Sequence, residues 1–418
     1  MTSVPYNYRV RATHCDHRAD EEAVYQALRR ATDPLDQAWA RLRAADSIAI
    51  KFNQDFDPER VVTFKGQRQQ LVSDKVARAV LRLLREKTNA DLICVDTTVF
   101  GTDTSSGPRE TTQLLPVLQA FNVEYVNADA PPHTVRQVPG GGQMFEQYLL
   151  PARAIEADAM VSVQKLKNHA FMGVTLTLKN LFGLMPRYPH GRDRHYYHHL
   201  VRMPYMLADL GRLFRPTLNI LDGLVAQAGM EWGDGEGMGR VCDTLIAGDH
   251  PVATDACGTH LMGFDPQGDW LDNPFHRDRN ALLVATEGGY GTVDLDEIDF
   301  ESEVDPQPEG TFFATKRGDS FERIVSWRRT MCEQALYYRD HRDQFIDPYQ
   351  GQFILLQMGE VKWHSPEGHV TVSRRKLAGD HPNQAMFYKY VDPEEAEGEH
   401  FEVYEWALED LEQRNLSV

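Results

Sequence analysis

The sequence predicts an α/β protein with a mostly parallel sheet core, flanking helices and a smaller C-terminal α+β appendage. Two observations support this fold class. Short apolar runs recur along the chain and are nearly continuous rather than alternating, which is typical of strands covered on both faces. Helical patterns lie between these runs as far as residue ~300, and such alternation of strands and helices favours a parallel sheet.

The chain divides into three predicted parts. Residues 1–45 are expected to be an N-terminal helical extension, and residues 46–302 the α/β core domain. The stretch EVDPQPEGT at 303–311 is typical of a linker. Residues 312–418 then form the C-terminal α+β appendage, because the regular alternation of strands and helices stops there.

Individual elements follow from the apolar patterns and from helix-capping residues. Core strands are predicted at 47–52, 91–95, 123–126, 159–163, 217–221 and 244–247. Helices are predicted near 20–31, 34–45, 110–120, 195–214, 250–262, 319–345 and 401–413, with another that Ser73 caps. Appendage strands are predicted at 352–361 and 368–373.

Charge and hydropathy exclude several classes of partner. The chain has 418 residues, with 44 Lys and Arg against 62 Asp and Glu, and its net charge of −18 would repel nucleic acid. No window approaches the roughly 18 apolar residues that cross a bilayer. The start, MTSVPYNYRVR, lacks the apolar region of a secretory signal. We therefore expect a cytoplasmic protein without a nucleic-acid or membrane partner.

Cysteine spacing and glycine spacing limit the cofactors. The five cysteines are scattered and form no CxxC pair, so no disulfide framework and no iron–sulfur cluster are expected. The glycine-rich stretch at 229–239 contains three acidic residues that would repel a pyrophosphate, and it lacks the strand–helix context of a nucleotide motif. A mobile flap and a turn with positive φ are two interpretations of this stretch.

Charged and amide side chains follow most of the predicted core strands. Ligands of open parallel sheets bind outside the carboxyl ends of the strands, where the following loops converge. The polar residues at these ends are Lys51, Asn53, Asp96, Lys165, Lys167, Asn168, His169, Asp222 and Asp249. A single polar residue at a strand end is usually a solvated loop residue, but five such ends together predict a binding site.

The strand-end residues form two groups of opposite charge. Four lysines, Lys51, Lys165, Lys167 and Lys179, predict an electropositive pocket for a carboxylate or a phosphate. Three aspartates are compatible with a divalent cation such as Mg²⁺, namely Asp222, Asp249 and Asp255. Two other interpretations remain open: Asp249 fits a helix N-cap, and lysine–aspartate pairs across strand ends can be structural.

A histidine cluster lies at 190–199, in the stretch HGRDRHYYHH. On a helix, His195 would share a face with His198 or His199, and this spacing can hold a transition metal. A polar helix start at the rim of the site and contact with an anionic substrate are the alternatives. The stretch His14-Cys-Asp-His17 also resembles a metal clip.

Four stretches together resemble the uncharacterised bacterial and archaeal family called domain of unknown function 362. They are IKFN, KLKNHAFMGVTLTLKN, ILDGL and GDHPVATD. The family pattern falls on the following residues here: Lys51, Asn53, Lys165, Lys167, His169, Gly173, Thr175, Lys179, Asn180, Asp222, Gly223, Asp249, Pro251, Ala253 and Asp255, with His250 interposed. The resemblance spans about residues 46–300. Many relatives carry ferredoxin-like cysteine clusters, which this sequence lacks.

The predicted function is that of an enzyme for a small anionic metabolite, with metal assistance and acid–base chemistry. Lys165, His169 and Lys179 are the expected catalytic residues, since histidine with an unperturbed pKa of ~6.5 transfers protons at neutral pH. The expected substrate-binding residues are Lys51, Asn53, Lys167 and Asn180. The alternative is a non-catalytic carrier of a metal or cofactor, and a homo-oligomer is compatible with the sequence.

Overall fold

The computed structural model describes residues 8–97, 107–187, 191–192, 194–230, 238–314, 320–368, 377 and 386–416. Its strands are β1 Tyr8–His14, β2 Ser47–Phe52, β3 Thr63–Phe64, β4 Gln67–Arg68, β5 Asp91–Asp96, β6 Glu124–Asn127, β7 His133–Gln137, β8 Gln147–Pro151, β9 Ala159–His169, β10 Gly173–Thr175, β11 Leu218–Gln227, β12 Gly239–Gly248, β13 Ile298–Ser302, β14 Phe353–Gln357, β15 Glu360–Ser365 and β16 Phe387–Tyr390. Its helices are α1 Glu21–Thr32, α2 Asp36–Ala44, α3 Asp74–Lys87, α4 Leu115–Ala120, α5 Ala152–Ile155, α6 Thr177–Asn180, α7 Arg194–Tyr197, α8 Arg202–Phe214, α9 Pro251–Leu261, α10 Ala281–Glu287, α11 Phe321–Asp340, α12 Asp343–Tyr349 and α13 Glu402–Gln413.

One large mixed sheet organises the fold. Its strand order is β13-β1-β12-β11-β9-β2-β5-β6, and β10 pairs with β9. The five strands from β11 to β6 are mutually parallel, and they are buried on both faces by separate apolar clusters. The predicted α/β class is therefore confirmed.

The central strand β9 is longer than the sequence pattern predicts. The expected strand ends at Val163, but the observed strand runs to His169 because β10 folds back and pairs with its last residues, Lys167 with Thr175 and His169 with Gly173. Gly173 has φ +74° in the turn region. Lys165 and Lys167 thus lie within a strand rather than in the predicted loop.

Two strands differ from the prediction in ways that affect the site. β12 is antiparallel to β11, with Gly248 level with Asn219 at the start of β11. The end of β12 therefore lies at the amino edge of the parallel strands, not at their carboxyl edge. β1, which the sequence analysis missed, pairs with β12 and β13 in the same sheet.

The helices agree with the patterns except where a turn interrupts them. Ser73 caps α3 as predicted, its side chain accepting a hydrogen bond from the Val76 backbone N–H. The helix predicted at 195–214 is wrong, because α7 and α8 are separate. The helix predicted at 319–345 likewise ends at Asp340, and α12 follows.

The C-terminal residues add a three-stranded antiparallel sheet, β15-β14-β16, with α11 and α13 packed near it. The single strand predicted at 352–361 is wrong: it is a hairpin of β14 and β15 that turns at Met358 and Gly359. Most of the strand predicted at 368–373 lies outside the described residues. Arg202 of α8 and Glu399 form a buried ion pair of 2.7 Å that joins this part to the core. Within the described chain, no helix combines the length and apolar character that crossing a membrane requires.

Candidate active site at the carboxyl edge of the sheet

A cavity of about 120 Å³ lies where β2, β5 and β9 end. Six of the residues that the sequence predicts as site residues line it: Lys51, Asn53, Lys167, His169, Lys179 and Asn180. Its size is slightly below the ~150 Å³ of a cavity that admits one benzene molecule, so a ligand of about six non-hydrogen atoms fits. The parallel order of the strands brings these residues together from distant parts of the chain.

Lys51 and Asp96 form an ion pair at one wall of the cavity. The Lys51 Nζ lies 2.9 Å from Asp96 Oδ1 and donates a hydrogen bond of 2.7 Å to the Phe52 carbonyl. Both side chains are 4% exposed. The pair exists because β2 and β5 are parallel neighbours, with Ile50 level with Cys94, so that their last residues meet.

Asp96 has the electrostatic properties of an acid–base group. Burial raises the pKa of Asp96 to about 7, opposed by the Lys51 ammonium and aided by the nearby Asp55 carboxylate. Its Oδ2 atom has no hydrogen-bond partner among the described residues. A carboxylate with a pKa near neutrality and an unused oxygen on a cavity wall is suited to exchanging a proton with a ligand.

Gly183 leaves room for the ion pair. A Cβ atom at this position would lie 2.5 Å from Lys51 Cε and 2.9 Å from Lys51 Nζ. The Gly183 carbonyl also accepts a hydrogen bond of 2.9 Å from the Thr97 N–H, which holds the chain just after β5. The absence of a side chain at Gly183 therefore determines where the Lys51 ammonium lies.

Two further lysines give the cavity its positive character. The Lys167 Nζ donates a hydrogen bond of 3.0 Å to the Gln70 carbonyl, and the side chain is 5% exposed. Lys179 is half-buried, with its Nζ 4.8 Å from the centre of the Phe182 ring. Three ammonium groups thus line the cavity together with the carboxylates of Asp55 and Asp96, so an anion is the favoured ligand.

His169 is fixed in one tautomer by the backbone that follows it. Its Nδ1 accepts hydrogen bonds from the Phe171 N–H at 3.0 Å and from the Met172 N–H at 3.1 Å. An imidazole nitrogen that accepts is unprotonated, so the ring proton is on Nε2. His169 is 2% exposed and lines the cavity as a neutral hydrogen-bond donor.

The two asparagines have different environments. Asn180 donates from Nδ2 to the Lys51 carbonyl at 2.9 Å and to Ser162 Oγ at 3.0 Å, so it fastens α6 to β2 and β9. Asn53 Oδ1, by contrast, is buried and has no partner within the described chain. The amide oxygen of Asn53 is therefore available to a ligand. Asn180 instead has a structural role, because it fixes the position of Lys179, the residue before it in α6.

Lys165 does not line the cavity. Its Nζ lies 2.8 Å from Asp222 Oδ2, and both side chains are 0% exposed. Asp222 also accepts hydrogen bonds from the backbone N–H groups of Ser73 and Leu224. Burial lowers the pKa of Lys165, while the Asp222 carboxylate opposes that change. The two residues form a buried cross-strand pair beneath the start of α3.

The three aspartates predicted to bind a metal are hydrogen-bonded in separate places. Asp249 follows β12 at the amino edge, where it accepts a hydrogen bond of 3.0 Å from the Arg9 N–H. Asp255 lies on α9 and accepts from the Thr177 and Leu178 N–H groups at 2.8 and 2.7 Å. The expected common position with Asp222 at the carboxyl edge is wrong, because it assumed that β12 runs parallel to its neighbours.

The three histidines predicted as a metal cluster also diverge. α7 ends at Tyr197, so His198 and His199 lie beyond the helix that would align them with exposed His195. The His199 Nε2 lies 2.7 Å from the Met386 carbonyl oxygen, in the C-terminal part. The His198 ring instead lies 5.4 Å from the His169 ring, beside the cavity. His190 lies outside the described residues.

A different trio brings potential metal ligands together. Across the described residues, one group of three such side chains has ligand atoms within 4.8 Å of one another, and it consists of Asp16, His17 and Asp243. The His17 Nδ1 lies 2.8 Å from Asp243 Oδ1, and Arg18 pairs with Asp16 at 2.7 Å. These contacts already use the carboxylates within the protein.

Sequence reasoning did not select Asp96 or Gly183. The sequence places Asp96 at a polar strand end, yet its pairing with Lys51 and its burial depend on the order of the strands in the sheet. A signal for Asp96 was present, since it occupies the same position after an apolar run as Lys51 does. Gly183 had no signal, because the space that it leaves is visible only in three dimensions.

Comparison with known families places the chain in one of them. The family model described as "Domain of unknown function (DUF362)" matches residues 48–260. The chain belongs to the DUF362 family. The region that matches DUF362 begins in β2 and ends in α9, so it contains the cavity-lining residues from Lys51 to Gly183. The DUF362 chain is also similar to a thylakoid-associated protein of the cyanobacterium Synechocystis sp., with 26% identity over 245 residues that cover 57% of this chain and 70% of that protein.

Proposed function

We propose that the protein is an enzyme that binds a small carboxylate or phosphate in the 120 Å³ cavity and transfers a proton to and from it. The observation that carries the proposal is the Asp96 carboxylate, with its pKa near 7 and its unpartnered Oδ2, in a cavity that three lysines line. A base of this strength suits catalysis at neutral pH.

The remaining cavity residues supply binding and charge stabilisation. Lys167 and Lys179 attract the anionic group of the substrate, and Asn53 Oδ1 accepts a hydrogen bond from it. The ionised Asp96 takes a proton from a carbon next to the substrate carboxylate or carbonyl. The negative charge that this leaves on the substrate oxygen is stabilised by the Nε2–H of His169. The proton then returns from Asp96 to the product.

The pairing of a carboxylate base with a neutral imidazole donor favours carbon acids as substrates. Enzymes use this combination for enolisation of small carbonyl compounds, because an imidazole is a better-matched donor to an enolate than an imidazolium. The backbone N–H groups of Phe171 and Met172 keep His169 in this neutral form. We assign no step to a metal at Asp222, Asp249 and Asp255, since their hydrogen bonds hold them apart.

The proposal also includes a cytoplasmic location. The five cysteines are free and buried, which suits a reducing compartment. The cyanobacterial relative is described as thylakoid-associated, and that description concerns the relative alone. Fractionation of the native cells, followed by detection with an antibody, tests the location: recovery in the membrane fraction would contradict it.

The binding step is tested with a panel of small carboxylates and phosphates. Wild type is expected to be stabilised in a thermal-shift assay by at least one compound of about six non-hydrogen atoms. Lys179→Met should weaken that response tenfold or more, because the anion loses a cation in the cavity. The matched control is Lys362→Met, on β15 of the C-terminal sheet. Equal responses in the two variants would overturn the proposed site.

A further inference from the structure

A second and larger cavity lies at the opposite edge of the main sheet. Its volume is about 430 Å³, within the range of ~300–1,000 Å³ typical of small-molecule sites. It lies where β12 ends and α9 begins, with Asp249 and His250 in its wall. Because β12 is antiparallel to β11, this cavity is at the amino edge of the parallel strands, away from the candidate active site.

Two arginines from distant segments line this cavity. Arg41 comes from α2, and Arg215 follows α8 in a left-handed conformation with φ +45°. Both are exposed, and neither forms an ion pair with a described residue. Many other arginines of this acidic chain are paired with carboxylates, as Arg9 and Arg279 are. Two guanidinium groups without ion-pair partners on one cavity favour an oxyanion as ligand.

The carboxylate in the wall is buried and hydrogen-bonded to the backbone. Asp249 is 4% exposed, and its Oδ1 accepts a hydrogen bond of 3.0 Å from the Arg9 N–H. Burial raises the pKa of Asp249, and the Arg9 backbone N–H opposes that change. The helix α9 begins next to it with Pro251 and without a side-chain cap, so the positive end of the helix dipole also faces this region.

His250 and two tyrosines contribute aromatic rings to the lining of this cavity. The His250 ring lies 4.9 Å from the Tyr8 ring and 4.5 Å from the Tyr290 ring. Gly291, with φ +86°, allows the close packing, since a Cβ there would lie 2.6 Å from His250 Cε1. Burial lowers the pKa of His250 to about 3, and the positive charges of Arg215 and Arg41, which line the same cavity, contribute to that change.

We infer that this cavity binds the oxyanion group of a metabolite, a phosphate or a carboxylate, through Arg41 and Arg215. Its volume admits a molecule too large for the 120 Å³ cavity. The aromatic rings of Tyr8 and Tyr290 give the remainder of the ligand an apolar surface. This site is independent of the proposed enzymatic function, because the two cavities share no lining residue.

The test is isothermal titration calorimetry with pyrophosphate, and with citrate as the carboxylate probe. At least one probe is expected to bind wild type, and the double variant Arg41→Gln/Arg215→Asn should weaken it tenfold or more. Asn is chosen at 215 because it tolerates the left-handed conformation. Arg43→Gln, on the same helix α2, is the matched control and should bind as wild type does.

A further variant separates the two cavities. Lys179→Met alters the smaller cavity, so it should leave pyrophosphate and citrate binding unchanged. Three results would overturn the inference: absence of binding by both probes, equal binding by the double variant, or loss of binding in Lys179→Met. If the double variant does not fold by circular dichroism, Arg41→Gln alone is measured, with a threefold or greater weakening expected and equal binding contradicting the site.

Discussion

The Lys51 ammonium lies 2.9 Å from one oxygen of Asp96, while the other oxygen of that carboxylate has no partner within the described chain. The ion pair therefore satisfies one oxygen of this buried carboxylate, and the other oxygen remains available to a ligand at the wall of the cavity. An unsatisfied buried polar atom is costly, of the order of 1–3 kcal/mol, and a ligand that binds to it relieves this cost.

The pH dependence of stability should report the raised pKa of Asp96. Since the pKa of Asp96 is about 7 in the folded state and 3.8 for an ordinary aspartate, the folded state holds this proton over a pH range in which the unfolded state has lost it. The contribution of Asp96 to stability is therefore present below pH ~4 and is lost as pH rises to ~7. Asp96→Asn should show a shallower fall in the free energy of unfolding between these pH values, measured by urea denaturation.

The control for this pH experiment is Asp91→Asn, at the exposed start of the same strand. This variant should follow the wild-type pH profile. Identical profiles for Asp96→Asn and wild type would contradict the raised pKa.

Gly183→Ala should disrupt the ion pair without unfolding the protein. The added methyl group would overlap Lys51 Cε at 2.5 Å, so the flexible lysine must move away from Asp96. We expect at least tenfold weaker anion binding in the thermal-shift or calorimetric assay. Gly107→Ala is the control, because a Cβ at Gly107 meets no atom within 4 Å. Unaltered binding by Gly183→Ala would show that the position of Lys51 does not matter to the ligand.

Two substitutions of His169 should separate its structural role from its donor role. In His169→Asn the amide oxygen can replace Nδ1 as acceptor for the Phe171 and Met172 N–H groups, but the Nε2–H is lost. His169→Ala loses both the acceptor and the donor. We expect His169→Asn to retain most of the wild-type melting temperature and to lose turnover, whereas His169→Ala loses both properties. Turnover by His169→Asn at the wild-type rate would exclude Nε2–H as the donor.

Lys165 and Asp222 should behave as a structural pair. Removing one partner of a buried ion pair costs about 3 to 5 kcal/mol, because the remaining charge is left without compensation. We expect this loss for Lys165→Met in urea denaturation, and a double variant with Asp222→Asn should be less destabilised than the sum of the single variants. A Lys165→Met protein with wild-type stability and no ligand response would instead show that Lys165 acts in the site.

Asp255 should hold α6, and with it Lys179, in place. Its oxygens accept from the N–H groups of Thr177 and Leu178. Asp255→Asn replaces one acceptor with an NH₂ group, which leaves a buried N–H unpaired at a cost of about 1 to 3 kcal/mol. Urea denaturation should show this loss, and anion binding should weaken with it. Asp91→Asn again provides the control, and equal stability of the two variants would contradict the role of Asp255.

Much of the candidate site could be predicted from the sequence, because one geometric rule governs it. Lys51 lies at the end of β2 and Asn53 directly follows it, and Lys167 and His169 come from the end of β9. Parallel neighbouring strands bring such ends together. That rule requires only the direction of the strands, which the alternation with helices predicts. The assignment to DUF362 is likewise predictable, since each of its four motifs is a short continuous stretch of the sequence.

The errors arose where position depends on a distant partner. Asp249 follows an apolar run like the others, but β12 runs the opposite way, and nothing local in its sequence distinguishes an antiparallel strand. Lys165 and Lys167 are two residues apart and so lie on the same face of β9. Only Lys165, however, is level with Asp222 and is covered by the start of α3. Whether a helix covers a given strand residue depends on tertiary packing, which the local sequence pattern does not show. For the same reason, the burial that raises the pKa of Asp96 could not be predicted.

Proton exchange between Asp96 and a carbon acid bound in the cavity is the step on which the proposed function depends. The most direct measurement is proton NMR of small carboxylates incubated with the protein in D₂O, since loss of a signal next to the carboxylate reports exchange with solvent. Exchange is expected with wild type for a compound that also binds, and no exchange is expected with Asp96→Asn, which should still bind that compound. Binding without exchange by wild type, or exchange at equal rates in both proteins, would contradict the claim.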